Sequence, residues 1–150
     1  MNPPALLLIE DDRDCVDVVE RALLKLGLAA ELRVVRDGQE ALDVLGLEGT
    51  PSSGCGSLPR VVFLDLKMPR VDGWEVLRRM RASPRTARLP VVVVSSSDRP
   101  EDIQRCYALG ANSYLLKRFD PRGPGADLAE AARYWIEMNQ VTRKPEPVQW

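Results

Sequence analysis

The 150-residue sequence contains no histidine. That absence removes imidazole general acid–base catalysis, imidazole metal ligation and any phosphohistidine formed within the chain itself. The sequence also lacks an uninterrupted apolar run of about 18 residues, the length needed by a membrane-crossing helix, and its N-terminus has neither the basic nor the apolar part of a secretory signal. A cytoplasmic protein is expected. No excess of one charge sign is present either: 21 Lys and Arg stand against 22 Asp and Glu, a net charge of −1, and neither sign forms a block. Neither DNA nor an anionic membrane is therefore expected as a partner. Cys15, Cys55 and Cys106 are widely spaced, forming neither a CxxC pair nor a disulfide framework, so they read as ordinary buried or loop thiols. Neither a Walker loop nor a Gly-x-Gly-x-x-Gly turn follows the first apolar run, which argues against a nucleotide-binding module.

What is present is a chain with 45% apolar residues, enough for one well-packed domain. Apolar runs of strand length recur at Ala5 to Ile9, Ala30 to Val35, Arg60 to Leu64, Pro90 to Ser95 and Ser113 to Leu116. The third and fourth, containing Val61-Val62-Phe63-Leu64 and Val91-Val92-Val93-Val94, are apolar without alternation, the pattern of strands buried on both faces of a parallel sheet. Between them lies helical spacing: Val16, Val19, Leu23 and Leu26 closed by Gly27, then Ala41, Leu42 and Leu45 after Asp37-Gly38. Further helices are expected near 74 to 82, 100 to 109 and 126 to 139. In the last one Leu128, Ala131, Ala132, Trp135 and Met138 form the inward stripe and Tyr134 falls off it. Gly46 to Leu58 reads as a loop, and Thr142 to Trp150 as an extended tail after a domain spanning 1–141, with no output domain attached. Short alternating connections predict a doubly wound α/β fold, a five-stranded parallel sheet with helices on both faces and the site beyond the C-terminal strand ends.

Chemistry-bearing residues fall at those ends. Glu10, Asp11 and Asp12 follow the first strand, Asp65 the third, Ser95 ends the fourth and Lys117 follows the fifth. Converging carboxylates repel one another unless a cation joins them, and an all-oxygen donor set suits Mg²⁺ or Mn²⁺. With that ion and the Lys117 ammonium neutralising an incoming phosphoryl group, the Asp65 carboxylate could attack phosphorus in line to give an acyl phosphate. Each element alone has a plainer reading: an acidic triplet suits a helix N-terminus, Asp65 could cap, Ser95-Ser96-Ser97 could be loop, and Lys117 could be a solvated charge. Their conjunction at successive strand ends favours a site.

Leu8-Ile9-Glu10-Asp11-Asp12, Leu64-Asp65-Leu66-Lys67-Met68-Pro69 with Asp72-Gly73, Val94-Ser95 and Tyr114-Leu115-Leu116-Lys117 together resemble the response-regulator receiver signature of two-component systems. The resemblance covers roughly residues 5 to 140 and implies a flavodoxin-like strand order, 2-1-3-4-5. It implies that Asp65 is the phosphoacceptor and that Glu10, Asp11, Asp65 and the Lys67 backbone carbonyl hold the metal. Lys117 would pair with phosphoryl oxygens, Ser95 would supply the hydroxyl that moves toward them, and Tyr114 would be the aromatic switch. The Lys67 side chain falls where the family shields or admits hydrolytic water. Met68-Pro69 stiffens the loop after the acceptor, and Gly73 is read as permitting a positive φ beside the next helix.

One position departs from the family pattern: Arg118 follows the lysine where proline with a cis bond is usual, so a trans bond and a rearranged loop are expected. Asp37-Gly38-Gln39-Glu40-Ala41-Leu42, the non-proline after the lysine and the last-helix aromatic pair resemble stand-alone receivers that partner bacterial phytochrome kinases. That likeness implies a sensor histidine kinase, of the bacterial phytochrome type, as partner. A homodimer through the fourth and fifth helices is a further expectation. The alternatives are an aspartate-nucleophile phosphatase, whose Asp-x-Asp is here Asp65-Leu66-Lys67, and a degenerate receiver acting as an unphosphorylated scaffold.

Overall fold

The computed structural model describes residues 5–48, 58–118 and 125–141. Strands β1 (Leu6–Ile9), β2 (Leu32–Val35), β3 (Val61–Leu64), β4 (Val91–Ser95) and β5 (Ser113–Leu116) form one parallel sheet in the order β2-β1-β3-β4-β5. Helices α1 (Arg13–Lys25), α2 (Gly38–Val44), α3 (Gly73–Ala82), α4 (Pro100–Ala108) and α5 (Ala126–Arg133) connect or follow them.

The period of two along each buried strand sorts its side chains onto two cores. Leu7, Ile9, Val62, Leu64 and Val91 pack with Ala41 and Leu42 of α2 and with Val76, Leu77 and Met80 of α3. Leu6, Leu8, Val61, Phe63, Val92 and Val94 pack with Val16, Val19 and Leu23 of α1 and with Leu128 and Ala132 of α5. Each fully buried aliphatic side chain contributes about 1.5–3 kcal/mol relative to exposure, so these two layers supply most of the driving force. In register, Ile9 lies beside Val35 and Leu64, and Val93 beside Leu64 and Tyr114, which brings the C-terminal strand ends to one edge.

Local signals fix where helices start and stop. Asp12, Asp37 and Asp72 cap α1, α2 and α3, their carboxylates accepting from the N–H groups of Asp14, Glu40 and Glu75 at 2.9, 2.8 and 3.0 Å. Gly27, at φ +72°, closes α1 as expected: Leu28 N–H donates to Leu23 O at 2.9 Å and Gly27 N–H to Leu24 O at 3.1 Å.

Several expectations require correction. β2 begins at Leu32, not Ala30, because Ala29–Glu31 close a 3₁₀ turn in which Glu31 N–H donates to Leu28 O at 3.0 Å. Leu26 leaves the α1 stripe as its C-cap residue and is 39% exposed. The last helix stays α-helical only to Arg133; Tyr134–Met138 form a π turn, with Asn139 N–H donating to Tyr134 O at 2.8 Å. Widening the turn changes the helical phase of its side chains. Trp135 still packs on the second core, joined by Ile136, but Met138, expected inward, is 64% exposed. No cis peptide bond occurs among the described residues, so Lys117–Arg118 is trans as expected. The segment 119–124, most of the loop from Gly46 to Leu58, Cys55 and the tail 142–150 lie outside the described residues. Among those described, no helix is long and apolar enough to cross a membrane.

Candidate functional site

Glu10, Asp65 and Ser95 are buried, an arrangement that strand-end carboxylates accept only with partners. Glu10 Oε1 accepts from Asp12 N–H at 3.1 Å, and Oε2 lies 2.8 Å from Lys117 Nζ. Asp65 Oδ1 accepts from Leu66 N–H at 2.9 Å and lies 3.3 Å from the same ammonium. Asp11 is exposed, yet one of its oxygens falls within 4.8 Å of oxygens on Glu10 and Asp65. The sheet therefore delivers two acids from the β1 end, one from the β3 end and a cation from the β5 end to one spot.

Electrostatics follow from that packing. Burial pushes the Glu10 carboxyl up to about 6; the Lys117 ammonium pulls down and the Asp65 charge adds to the rise. Burial pulls Lys117 down, but its contact with Glu10 and the charge of Asp65 outweigh this, and its pKa ends raised. Burial, followed by the neighbouring Glu10 charge, pushes the Cys15 thiol up to about 12, and burial pushes Cys106 up to about 11. Neither thiol is a nucleophile at neutral pH.

A divalent cation fits this donor set. Three carboxylate oxygens lie within 4.8 Å of one another, and Glu10 Oε2 is buried without a well-angled hydrogen bond. Among the described residues Asp65 Oδ2 also has no hydrogen-bond partner, which leaves it available to a metal or to phosphorus. Hard oxygen donors of this kind suit Mg²⁺ or Mn²⁺.

The remaining residues named from the sequence are Ser95, Tyr114 and Lys67. Ser95 O accepts from Lys117 N–H at 2.8 Å, tying the β4 and β5 ends together, while Ser95 Oγ accepts from Ser97 N–H at 3.1 Å. The Tyr114 hydroxyl donates to Ser97 O at 2.7 Å. Its ring packs on a small third cluster of Leu66, Val93 and Cys106, which Trp74 also joins. The Lys67 side chain is exposed.

Two features of the loop from Leu66 to Gly73 escape a reading of the residues alone. Gly73 does not have a positive φ; it is needed because a Cβ there would lie 2.1 Å from Asp65 O and 2.7 Å from Leu66 Cα. The positive φ belongs to Arg70, at +66°. Nothing in the residue type signals this, since arginine seldom adopts the left-handed region.

Residues 6–124 match the family model of the response regulator receiver domain. FilR2 of Methanothrix harundinacea, described as a probable methanogenesis regulatory protein, is 38% identical over 146 residues, covering 97% of this chain and 90% of FilR2. The crystal structure of the Mn²⁺-bound form of response regulator Rcp1, a protein of Synechocystis, matches with a TM-score of 0.77 at 30% identity, covering 93% of this chain and 99% of Rcp1. The phosphorylated cyanobacterial phytochrome response regulator RcpA matches with a TM-score of 0.77 at 30% identity, covering 93% of this chain and 98% of RcpA. With the five-stranded order, the clustered strand-end acids and these likenesses in agreement, the chain belongs to the response regulator receiver domain family of two-component systems.

Proposed function

We propose that Asp65 is the phosphoacceptor of this receiver and that its donor is a phosphohistidine on a partner kinase. The observation that carries the reading is the buried Asp65 carboxylate, 3.3 Å from Lys117 Nζ and grouped with Glu10 and Asp11. In the transfer, an Asp65 oxygen forms a bond to phosphorus while the N–P bond breaks, and the departing imidazole keeps that electron pair. Glu10, Asp11, Asp65 and the Lys67 carbonyl hold Mg²⁺ or Mn²⁺, which supplies neutralisation of phosphoryl charge when bound. Lys117, already held against Asp65, pairs with the phosphoryl oxygens; Leu66 N–H, bonded to Asp65 Oδ1, orients the carboxylate.

Output follows from the hydroxyl and aromatic residues. Ser95 gives up its local contact with Ser97 N–H to reach the phosphoryl group, which frees Tyr114 from Ser97 O and shifts the surface of α4, β5 and α5. The chain acts as a phosphorylation-controlled interaction module rather than an enzyme with its own substrate. Its kinase is of the bacterial phytochrome type, a reading supported by the likeness to RcpA, and a second copy of the chain is a further partner for the switching surface. The exposed Lys67 side chain shields the acyl phosphate from water, so Lys67→Gly should shorten its lifetime.

The test is intact-mass measurement after incubation with a small acyl phosphate. Wild type should gain one phosphoryl group with Mg²⁺ and none with a chelator, and Asp65→Asn should gain none while keeping its fold. Equal labelling of the two proteins overturns the reading.

A further inference from the structure

The loop from Leu66 to Gly73, which follows the acceptor, is fastened at both flanks. At its far end Gly73 lies against Asp65 O, and its N–H donates to Leu66 O at 2.9 Å. In its middle, Val71 O lies so close to Gly38 that a Cβ there would meet it at 2.0 Å. Immediately before Val71, Arg70 holds the left-handed conformation, φ +66°, that a side chain makes costly. Its guanidinium reaches across to the N-cap residue of the neighbouring helix, with Nη2 2.5 Å from Asp37 Oδ2. Asp37 is bifunctional: Oδ1 caps α2 through Glu40 N–H at 2.8 Å, and Oδ2 receives Arg70.

We infer that Asp37 is a positioning residue for the divalent cation: through Arg70 it holds the strained loop in the conformation that presents the Lys67 carbonyl beside Asp65. The inference rests on the metal assignment made above. A cap alone would not need the second carboxylate oxygen, and a surface ion pair alone would not need a backbone outlier at its cationic end. The two together make a clasp, in which the ion pair balances the backbone cost at Arg70. Arg70 is 68% exposed, so the pair is screened and modest in strength, comparable with the strain that it offsets.

Substitution separates cap from clasp. Asn caps a helix as well as Asp does but presents an NH₂ group to Arg70, so Asp37→Asn keeps α2 and loses the clasp. Arg70→Ala loses the ion pair and keeps the backbone cost. Arg70→Gly loses the ion pair but adopts the left-handed conformation freely.

The experiment is titration of the full chain with Mn²⁺, counting free ion by its paramagnetic resonance signal, alongside amide hydrogen exchange of residues 66–73 without metal. Asp37→Asn and Arg70→Ala should each weaken Mn²⁺ binding by roughly twofold to fivefold and speed exchange in the loop. Arg70→Gly should bind nearly as wild type does, and adding Arg70→Gly to Asp37→Asn should restore the lost affinity. Wild-type affinity in Asp37→Asn overturns the inference, as does failure of glycine to rescue. If wild type itself binds no Mn²⁺, the metal assignment falls, and the exchange data alone decide whether Asp37 orders the loop.

Discussion

Lys117 stands between two carboxylates, one of them fully buried, and the site has no other cation within salt-bridge distance among the described residues. Removing that ammonium leaves Glu10 and Asp65 to repel each other in a dry setting. Lys117→Met should therefore lower metal-free stability by about 3 kcal/mol in urea unfolding, and saturating Mg²⁺ should restore more stability to the variant than to wild type. Equal metal stabilisation of both proteins contradicts the arrangement. Asp37 supplies a pH dependence. The Glu40 N–H and the Arg70 guanidinium hold its carboxyl below the usual range. A depressed carboxyl stabilises the fold above its unfolded value and loses that contribution as pH falls through the folded one. Wild type should exceed Asp37→Asn in melting temperature at pH 7, by an amount that shrinks toward pH 3. Of the residues that matter here, Glu10, Asp11, Asp65 and Lys117 were legible in the sequence because strand ends place them whatever their side chains do. Arg70 was not: a left-handed arginine arises from how the loop closes onto α2 and α3, which no local pattern encodes. The true role of Gly73 was hidden for the same reason.

At the scale of elements, the contact between α3 and the β3 end leaves no room for a side chain. With Gly73 against Asp65 O, any side chain must push α3 away from the acceptor. Gly73→Ala should cost about 2–3 kcal/mol in denaturant unfolding and slow phosphoryl incorporation. Gly27→Ala, whose added methyl would meet nothing within 4 Å, should cost only its backbone strain and leave labelling unchanged. Equal effects on labelling would refute the packing argument. Strand assignments from the sequence were right within a residue for β1, β3, β4 and β5, because unbroken apolar runs leave no freedom about which segment is buried. β2 failed by two residues because Ala29–Glu31 close a 3₁₀ turn, in which Glu31 N–H donates to Leu28 O and Leu32 N–H to Ala29 O. The end of α5 failed because a π turn shifts helical phase, so that Trp135 and Ile136 pack on the second core while Met138 turns outward, which the residue spacing does not encode.

Over the whole molecule, the helices are unequally held. α1, α2, α3 and α5 bury faces in the two main cores, while α4 buries Cys106 alone. Two ties from its own residues supplement it, Ser97 Oγ to Asp102 Oδ2 at 2.6 Å and Arg105 over the Trp74 ring at 4.3 Å, and Tyr114 Oη holds the preceding loop through Ser97 O at 2.7 Å. Such a helix is the element a phosphoryl group can move, since each tie is worth only about a kcal/mol. Hydrogen exchange in α4 should change on phosphorylation of wild type and change much less in Ser95→Ala, with Asp65 labelling retained in both. An identical α4 response would remove Ser95 as the coupling group and direct attention to the segment that begins with Arg118.

The proposed route from site to switch depends on one covalent bond, an acyl phosphate on Asp65. Borohydride reduces an aspartyl phosphate to homoserine, so treating the phosphorylated chain with borohydride and sequencing its peptides by mass spectrometry reads the acceptor directly. Homoserine is expected at position 65 and at no other acid, dependent on Mg²⁺ and absent from Asp65→Asn. Homoserine at Asp11 or Asp12, or a phosphoryl group that resists borohydride altogether, would contradict it.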